Sequence, residues 1–263
     1  MTLLLVLFIP IIIGWLLLRP QPLSSVIDIK QNVLFVIAHP DDESMFFGPT
    51  LLREIRERIR QPSIDTTVHL LCLSHGNFYG DGKKRFNELT NACQYLVNYC
   101  SDFNYTNLNK NKPSFVLKVI DDEYLPDSPN VQWSDHLIRK YVIDYVKVND
   151  IGKIITFDSF GISGHSNHVA IHLALSDHQF RNSSTIQIWQ LLTVPLWRKY
   201  LSLFDLFITY QNDGEIVHRL SFTDYWNLVE TLRHHRSQML WFRYLYAVTS
   251  RYMFINTLNC INN

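Results

Sequence analysis

Two short stretches hold the residues that could do chemistry. His39-Pro40-Asp41-Asp42-Glu43 crowds an imidazole and adjacent carboxylates together, and Gly164-His165-Ser166-Asn167-His168 places two imidazoles three residues apart. Pro40 fixes its own φ and keeps His39 out of the α region, so the backbone turns sharply and aims His39, Asp41 and Asp42 in different directions. Carboxylates held so close raise one another's pKa and cost stability unless a proton or a cation compensates. A divalent metal is the simplest compensation, and an acid-rich helix N-cap at Asp41 or Asp42 is the plainer alternative. Imidazoles at i and i+3 in the first turn of a helix reach one point, which suits a metal or an acid/base pair, although ordinary helices carry that spacing too. His172, a turn further on, reads as a packing or capping residue.

Each stretch follows a strand. Val33 to Ile37 is an unbroken apolar run, the pattern of a strand buried on both faces in a parallel sheet, and Ile154 to Phe157 is a second short run that ends at Asp158. Between and beyond them the pattern predicts helices over Phe46 to Arg60, about Lys83 to Val97, Trp133 to Val148 and Asn167 to Asp177. Strands are predicted over Thr67 to Leu73, Phe115 to Ile120 and Lys153 to Phe157. This alternation specifies a doubly wound, mainly parallel α/β sheet of Rossmann-like type. Ligands bind such sheets outside the carboxyl ends of the strands, where both His stretches fall. The 263 residues are 47% hydrophobic and 18% charged, enough for one α/β core. With 24 basic and 24 acidic residues and no basic stripe, nucleic acid is excluded as the main partner.

Leu3 to Leu18 is uncharged and apolar, long enough to span roughly 24 Å as a helix. A cleaved signal peptide would need a basic start and a small-residue cleavage site, and neither is present. The expectation is therefore a retained anchor over 1–19 and a Pro/Ser linker over 20–31, with the α/β domain over 32–263. Arg19 and Lys30 lie on the C-terminal side of the anchor, so the positive-inside bias places the body in the cytosol. Cys72, Cys93, Cys100 and Cys260 show no paired spacing and read as free thiols. The glycosylation patterns at Asn104 and Asn182 should then carry no sugar. Thr231 to Asn263 has four arginines and no acid, interleaved with aromatic residues. That composition suits either the bilayer interface and an anionic lipid headgroup or the completion of the core.

Ala38 to Glu43, Ser74-His75-Gly76-Asn77 with Arg85-Phe86-Asn87-Glu88-Leu89 behind it, and Gly164 to His168, in this order, resemble the zinc-dependent PIG-L/LmbE-like deacetylases. The resemblance covers about residues 30 to 258 and is closest to the eukaryotic branch, which shares Asn167 where bacterial members carry Asp. It implies an LmbE-like fold, a divalent metal, most simply Zn²⁺, and removal of the acetyl group from an N-acetylglucosaminyl phosphatidylinositol. That reaction is an early step towards glycosylphosphatidylinositol anchors at the endoplasmic reticulum membrane. Position by position, it implies His39, Asp42 and His168 as metal ligands, Asp41 as general base, His165 facing the oxyanion, and Arg85 at a substrate phosphate rather than as a solvated charge or a partner of Glu88.

Three other classes fit parts of the pattern. Two His and a carboxylate also bind Fe(II) in oxygenases, but usually on an all-β scaffold with His-x-Asp. A phosphatase with an Asp nucleophile would call for Asp-x-Asp. A non-catalytic lipid-binding subunit would have no need of the His/Asp constellation, and a deacetylase of another N-acetylglucosaminyl conjugate would keep it. Nothing in the sequence names protein partners.

Overall fold

The computed structural model describes residues 29–61, 63–101, 114–128, 130–177, 186–206, 208–209 and 216–261. The expected anchor over 1–19, most of the linker and both glycosylation patterns lie outside these residues. Among the described residues, no helix is long and apolar enough to cross a membrane.

The strands are β1 (Asn32–Ile37), β2 (Val68–Cys72), β3 (Phe115–Val119), β4 (Ile151–Phe157), β5 (Gln187–Leu191), β6 (Ile216–Arg219) and β7 (Ile255–Cys260). They form one sheet in the order β3-β2-β1-β4-β5-β7-β6. The first five are parallel, with Phe35 opposite Leu70 on one side and Ile155 on the other, while β7 runs antiparallel to both β5 and β6. The α/β class and mainly parallel sheet are as expected from the alternation. The antiparallel edge is a finding of the structure, because β6 and β7 are polar, irregular sequences (IVHR and INTLNC).

The helices are α1 (Asp42–Met45), α2 (Gly48–Arg60), α3 (Gly82–Ser101), α4 (Asp135–Asn149), α5 (Gly161–Gly164), α6 (Ser166–Ser176), α7 (Leu196–Lys199), α8 (Phe222–Arg233) and α9 (Trp241–Thr249). The helix expected over Phe46 to Arg60 begins at Gly48 because Pro49 sits in its first turn, where a missing N–H costs nothing. Helix α3 packs on α2 and α8, and α4 packs on α6. Val33 to Ile37 alternate between the sheet faces and are all fully buried, so both faces of β1 are covered. Burial of each such side chain contributes about 1.5–3 kcal/mol.

Strand β1 lies between β2 and β4, so the connections leave it in opposite directions. The crevice beyond the carboxyl ends of β1 and β4 is therefore the topological switch point of the sheet. Both His stretches emerge there.

The C-terminal segment divides between the two roles its composition allows. Tyr252, Met253, Phe254, Ile255 and Leu258 finish the core, and Arg251 is buried with its Nε 2.6 Å from Asp205, whereas one face of α9 is exposed. Cys72, Cys93 and Cys100 are buried free thiols and Cys260 is a half-buried one.

Candidate active site

At the end of β1 the chain folds back on itself through the acids. Oδ2 of Asp42 accepts the N–H groups of Ala38 (3.0 Å) and His39 (2.9 Å). Asp41 has φ 111°, a region most L-residues avoid. Glu43 holds it there. Oε2 of Glu43 accepts the Asp41 N–H at 3.0 Å, and Oε1 is anchored by Ser44 Oγ and, at 2.6 Å, by Nε2 of His235. Asp41 does occupy the N-cap position of α1, but its side chain makes no capping bond. The carboxylate is left for the cavity.

Beyond β4, Asp158 accepts bonds from the N–H and hydroxyl of Thr193 and from the N–H of Phe160, fixing the turn into α5. Gly161, at φ 56°, has room for no side chain, because a Cβ would stand 2.7 Å from that of His168. Its carbonyl accepts from Nδ1 of His168 at 3.0 Å, which leaves the lone pair on Nε2. That Nε2 is buried 3.3 Å from Oδ1 of Asp42 without an aligned hydrogen bond, and the ring stacks flat on Phe157 at 4.0 Å. His165 is the N-cap of α6, its Nδ1 accepting the N–H of Asn167 at 3.3 Å. The Asn167 amide reaches Nε2 of His39 at 2.9 Å.

These contacts bring the ring nitrogens of His39, His165 and His168 within 4.8 Å of one another, with Asp42 at the edge of the group. Burial pulls the pKa of His39 down to about 4 and lowers that of His165, so both rings are neutral near pH 7. For His168, burial alone would do the same, but the Asp42 carboxylate overrides it and raises the pKa. Burial works against the charge on Asp42, yet His168 and the His39 N–H hold its carboxyl far below the usual range. The neutral imidazole of His39, the unpaired Nε2 of His168 and the ionised carboxylate of Asp42 are a nitrogen/oxygen donor set that fits a divalent metal, with the neutral ring of His165 beside it.

The group lies in a cavity of about 840 Å³. One wall comes from the strand ends, and the other from Phe242, Arg243 and Tyr246 of α9. Asp41 sits between two guanidinium groups, 3.0 Å from Nη2 of Arg243 and 3.9 Å from Nη2 of Arg85. Burial raises its pKa, and the two arginines oppose the rise. Arg85 borders the cavity but is buried, donating to the Pro40 carbonyl (2.8 Å), the Gly76 carbonyl (2.9 Å) and Asp127 (2.7 Å). It is neither a solvated charge nor a partner of Glu88, which accepts bonds from the N–H and hydroxyl of Ser237 instead. His75 stands apart from the cluster, 3.6 Å from Asp121, and His172 packs against Gln190.

Sequence reasoning passed over three contributors. Asp127, 3.3 Å from Nε2 of His39, lies in an irregular loop after β3, and its one signal is an acid between Pro126 and Pro129 beyond a strand end. Arg243 and His235 come from a segment read only for its composition.

Comparison with known proteins agrees with this architecture. A deacetylase of N,N'-diacetylchitobiose from Pyrococcus horikoshii shares the fold, with a TM-score of 0.55 at 14% identity over 94% of this chain and 88% of that one. The N-acetylglucosaminyl-phosphatidylinositol de-N-acetylase of Bos taurus is 36% identical over 87% of this chain and 83% of its own length. A protein named as a probable enzyme of the same kind in Schizosaccharomyces pombe is 34% identical over 87% and 86%. Residues 34–178, which run from β1 past the second His stretch, match the family described as PIG-L, GlcNAc-PI de-N-acetylase, and the chain belongs to that family.

Proposed function

We propose that the chain hydrolyses the acetamide of N-acetylglucosaminyl-phosphatidylinositol, giving acetate and glucosaminyl-phosphatidylinositol, the deacetylation step of glycosylphosphatidylinositol-anchor synthesis. The observation that carries this reading is the group of buried His39 and His168 with half-buried His165, flanked by Asp41 and Asp42, at the switch-point cavity of a PIG-L family chain. The relatives' names supply the substrate.

His39, His168 and Asp42 are the residues that would hold the metal, for which Zn²⁺ is our assignment. When bound, it supplies an acidified water and an electrophile for the acetyl carbonyl. Asp41 takes the proton of the attacking water, its pKa raised by burial towards the working range of a base, and returns the proton to the departing amine. His165 accepts a backbone N–H on Nδ1, so its proton sits on Nε2, where it can donate to the oxyanion as the carbonyl becomes tetrahedral. Arg85 remains our candidate for the substrate phosphate, with the added task of tying the Pro40 turn to Asp127. Release of acetate from the glycolipid by purified protein, abolished by a chelator and restored by Zn²⁺, tests the reading; no release under any metal would refute it.

The same reading places the protein at the endoplasmic reticulum membrane as a single-pass protein with its catalytic domain facing the cytosol. Its support is the apolar Leu3 to Leu18 stretch with Arg19 and Lys30 on its C-terminal side.

A further inference from the structure

A helix that covers a core turns its polar side to water. Helix α9 does the reverse. Tyr246 and Ala247 face inward, while Trp241 (78% exposed), Tyr244, Leu245 and Val248 (62%) form one outward stripe at the i, i+3, i+4, i+7 spacing. Beside it, residues 196–204 expose Leu196, Trp197 (60%), Tyr200 and Phe204, and the hydroxyl of Ser202 bonds the Val248 carbonyl at 2.8 Å, joining the two segments into one surface. Tyr200, Phe242 and Leu245 also line the active-site cavity, so this surface is a lip of its mouth.

Charge selects the occupant. Residues 192–204 and 231–263 contain no Asp or Glu. Two cations stand against the rings nearest the mouth, buried Lys199, which donates to the Ile162 carbonyl, 5.9 Å from the Tyr200 ring and Arg243, paired with Asp41, 5.8 Å from the Phe242 ring. Aromatic and aliphatic side chains outside, cations behind them and no acids is the pattern that seats on the headgroup region of an anionic bilayer. We propose that the lip formed by residues 196–204 and α9 docks on the surface of an anionic phospholipid membrane and holds the cavity mouth at headgroup level. A glycolipid's sugar can then enter while its acyl chains stay in the bilayer. The proposal rests on the reading of the substrate as a lipid.

The test uses full-length protein in phosphatidylcholine–phosphatidylserine vesicles. In a Cys260→Ser background, an environment-sensitive fluorophore on Tyr244→Cys is expected to shift to the blue and to be quenched by lipids spin-labelled near the headgroup. The same label on Val148→Cys, an exposed site on α4, should remain water-like. Equal responses at 244 and 148, or a blue shift at 244 that needs only high protein concentration and no vesicles, would overturn the proposal, the second by showing that another copy covers the lip. In parallel, the triple variant Trp197→Glu, Trp241→Glu, Val248→Glu should lose at least ~10-fold in turnover of vesicle-embedded glycolipid, equivalent to about 1.4 kcal/mol in docking of the lip. It should keep parental turnover of a soluble analogue without long acyl chains. Equal losses on both substrates would overturn the lip's role, whereas an inactive parent on both would refute the functional reading instead.

Discussion

The carboxylate of Asp41 meets Nη2 of Arg243 at 3.0 Å, across 202 residues of sequence. The guanidinium opposes the burial that raises the Asp41 pKa, so removing it should raise that pKa further. A general base works only when ionised, and the acid limb of the pH–rate profile should therefore move to higher pH in Arg243→Gln. A limb that stays in place or moves down would separate Arg243 from the base.

Asp41 and Asp42 should part company on substitution. Asp42 lies 3.3 Å from Nε2 of His168 and ties down two backbone N–H groups, so Asp42→Ala should lower bound metal and activity together. Asp41→Asn should keep the metal and the fold while turnover falls by roughly 10²- to 10⁴-fold, the usual contribution of a positioned base. Metal analysis beside kinetics decides, and the reverse pattern would exchange the two roles.

Gly161→Ala should damage the site without touching any reacting group. The left-handed φ costs an L-residue roughly 1–2 kcal/mol, and the new methyl would collide with Cβ of His168. The expected result is a far-ultraviolet circular dichroism spectrum like the parent's with weakened metal retention. Normal metal content would mean that His168 tolerates the displacement.

Acid should destabilise the fold through His218 of β6. Its ring is buried, with Nδ1 3.1 Å from the Thr50 hydroxyl, and burial, helped by Arg53, depresses its pKa to about 3. An unfolded histidine titrates near 6.5, so between about 6.5 and 3 the unfolded chain binds a proton that the folded one refuses. Stability then falls with pH by up to about 1.4 kcal/mol per pH unit for this one group. Chemical denaturation across that window should show a shallower fall for His218→Gln. An identical slope would assign acid sensitivity to other groups.

The two His stretches, the strands that present them and the parallel sheet were legible because each is written in contiguous residues. An apolar run of five, a proline-forced turn and a His-x-x-His at a helix entry are local patterns, and local sterics and burial decide them. The family resemblance rests on the same contiguity. Leu3 to Leu18 is just as legible as an apolar segment, from composition alone.

Tertiary structure alone decided what surrounds those motifs. Arg243 reaches Asp41, His235 reaches Glu43 and Asp127 reaches His39 because the sheet order sets β1 beside β4 and lays the C-terminal helices over the switch point. A charge in a loop or an aromatic segment has no period that tells where it will pack, so Arg85 reads as a solvated cation until three internal acceptors are seen around it. The strand INTLNC has too few apolar residues to announce itself. It enters the sheet because Tyr252 to Phe254 are buried just before it and the edge of β5 offers an unpaired ladder. Local chemistry determined which residues could react, and long-range packing determined which charges and walls they react beside.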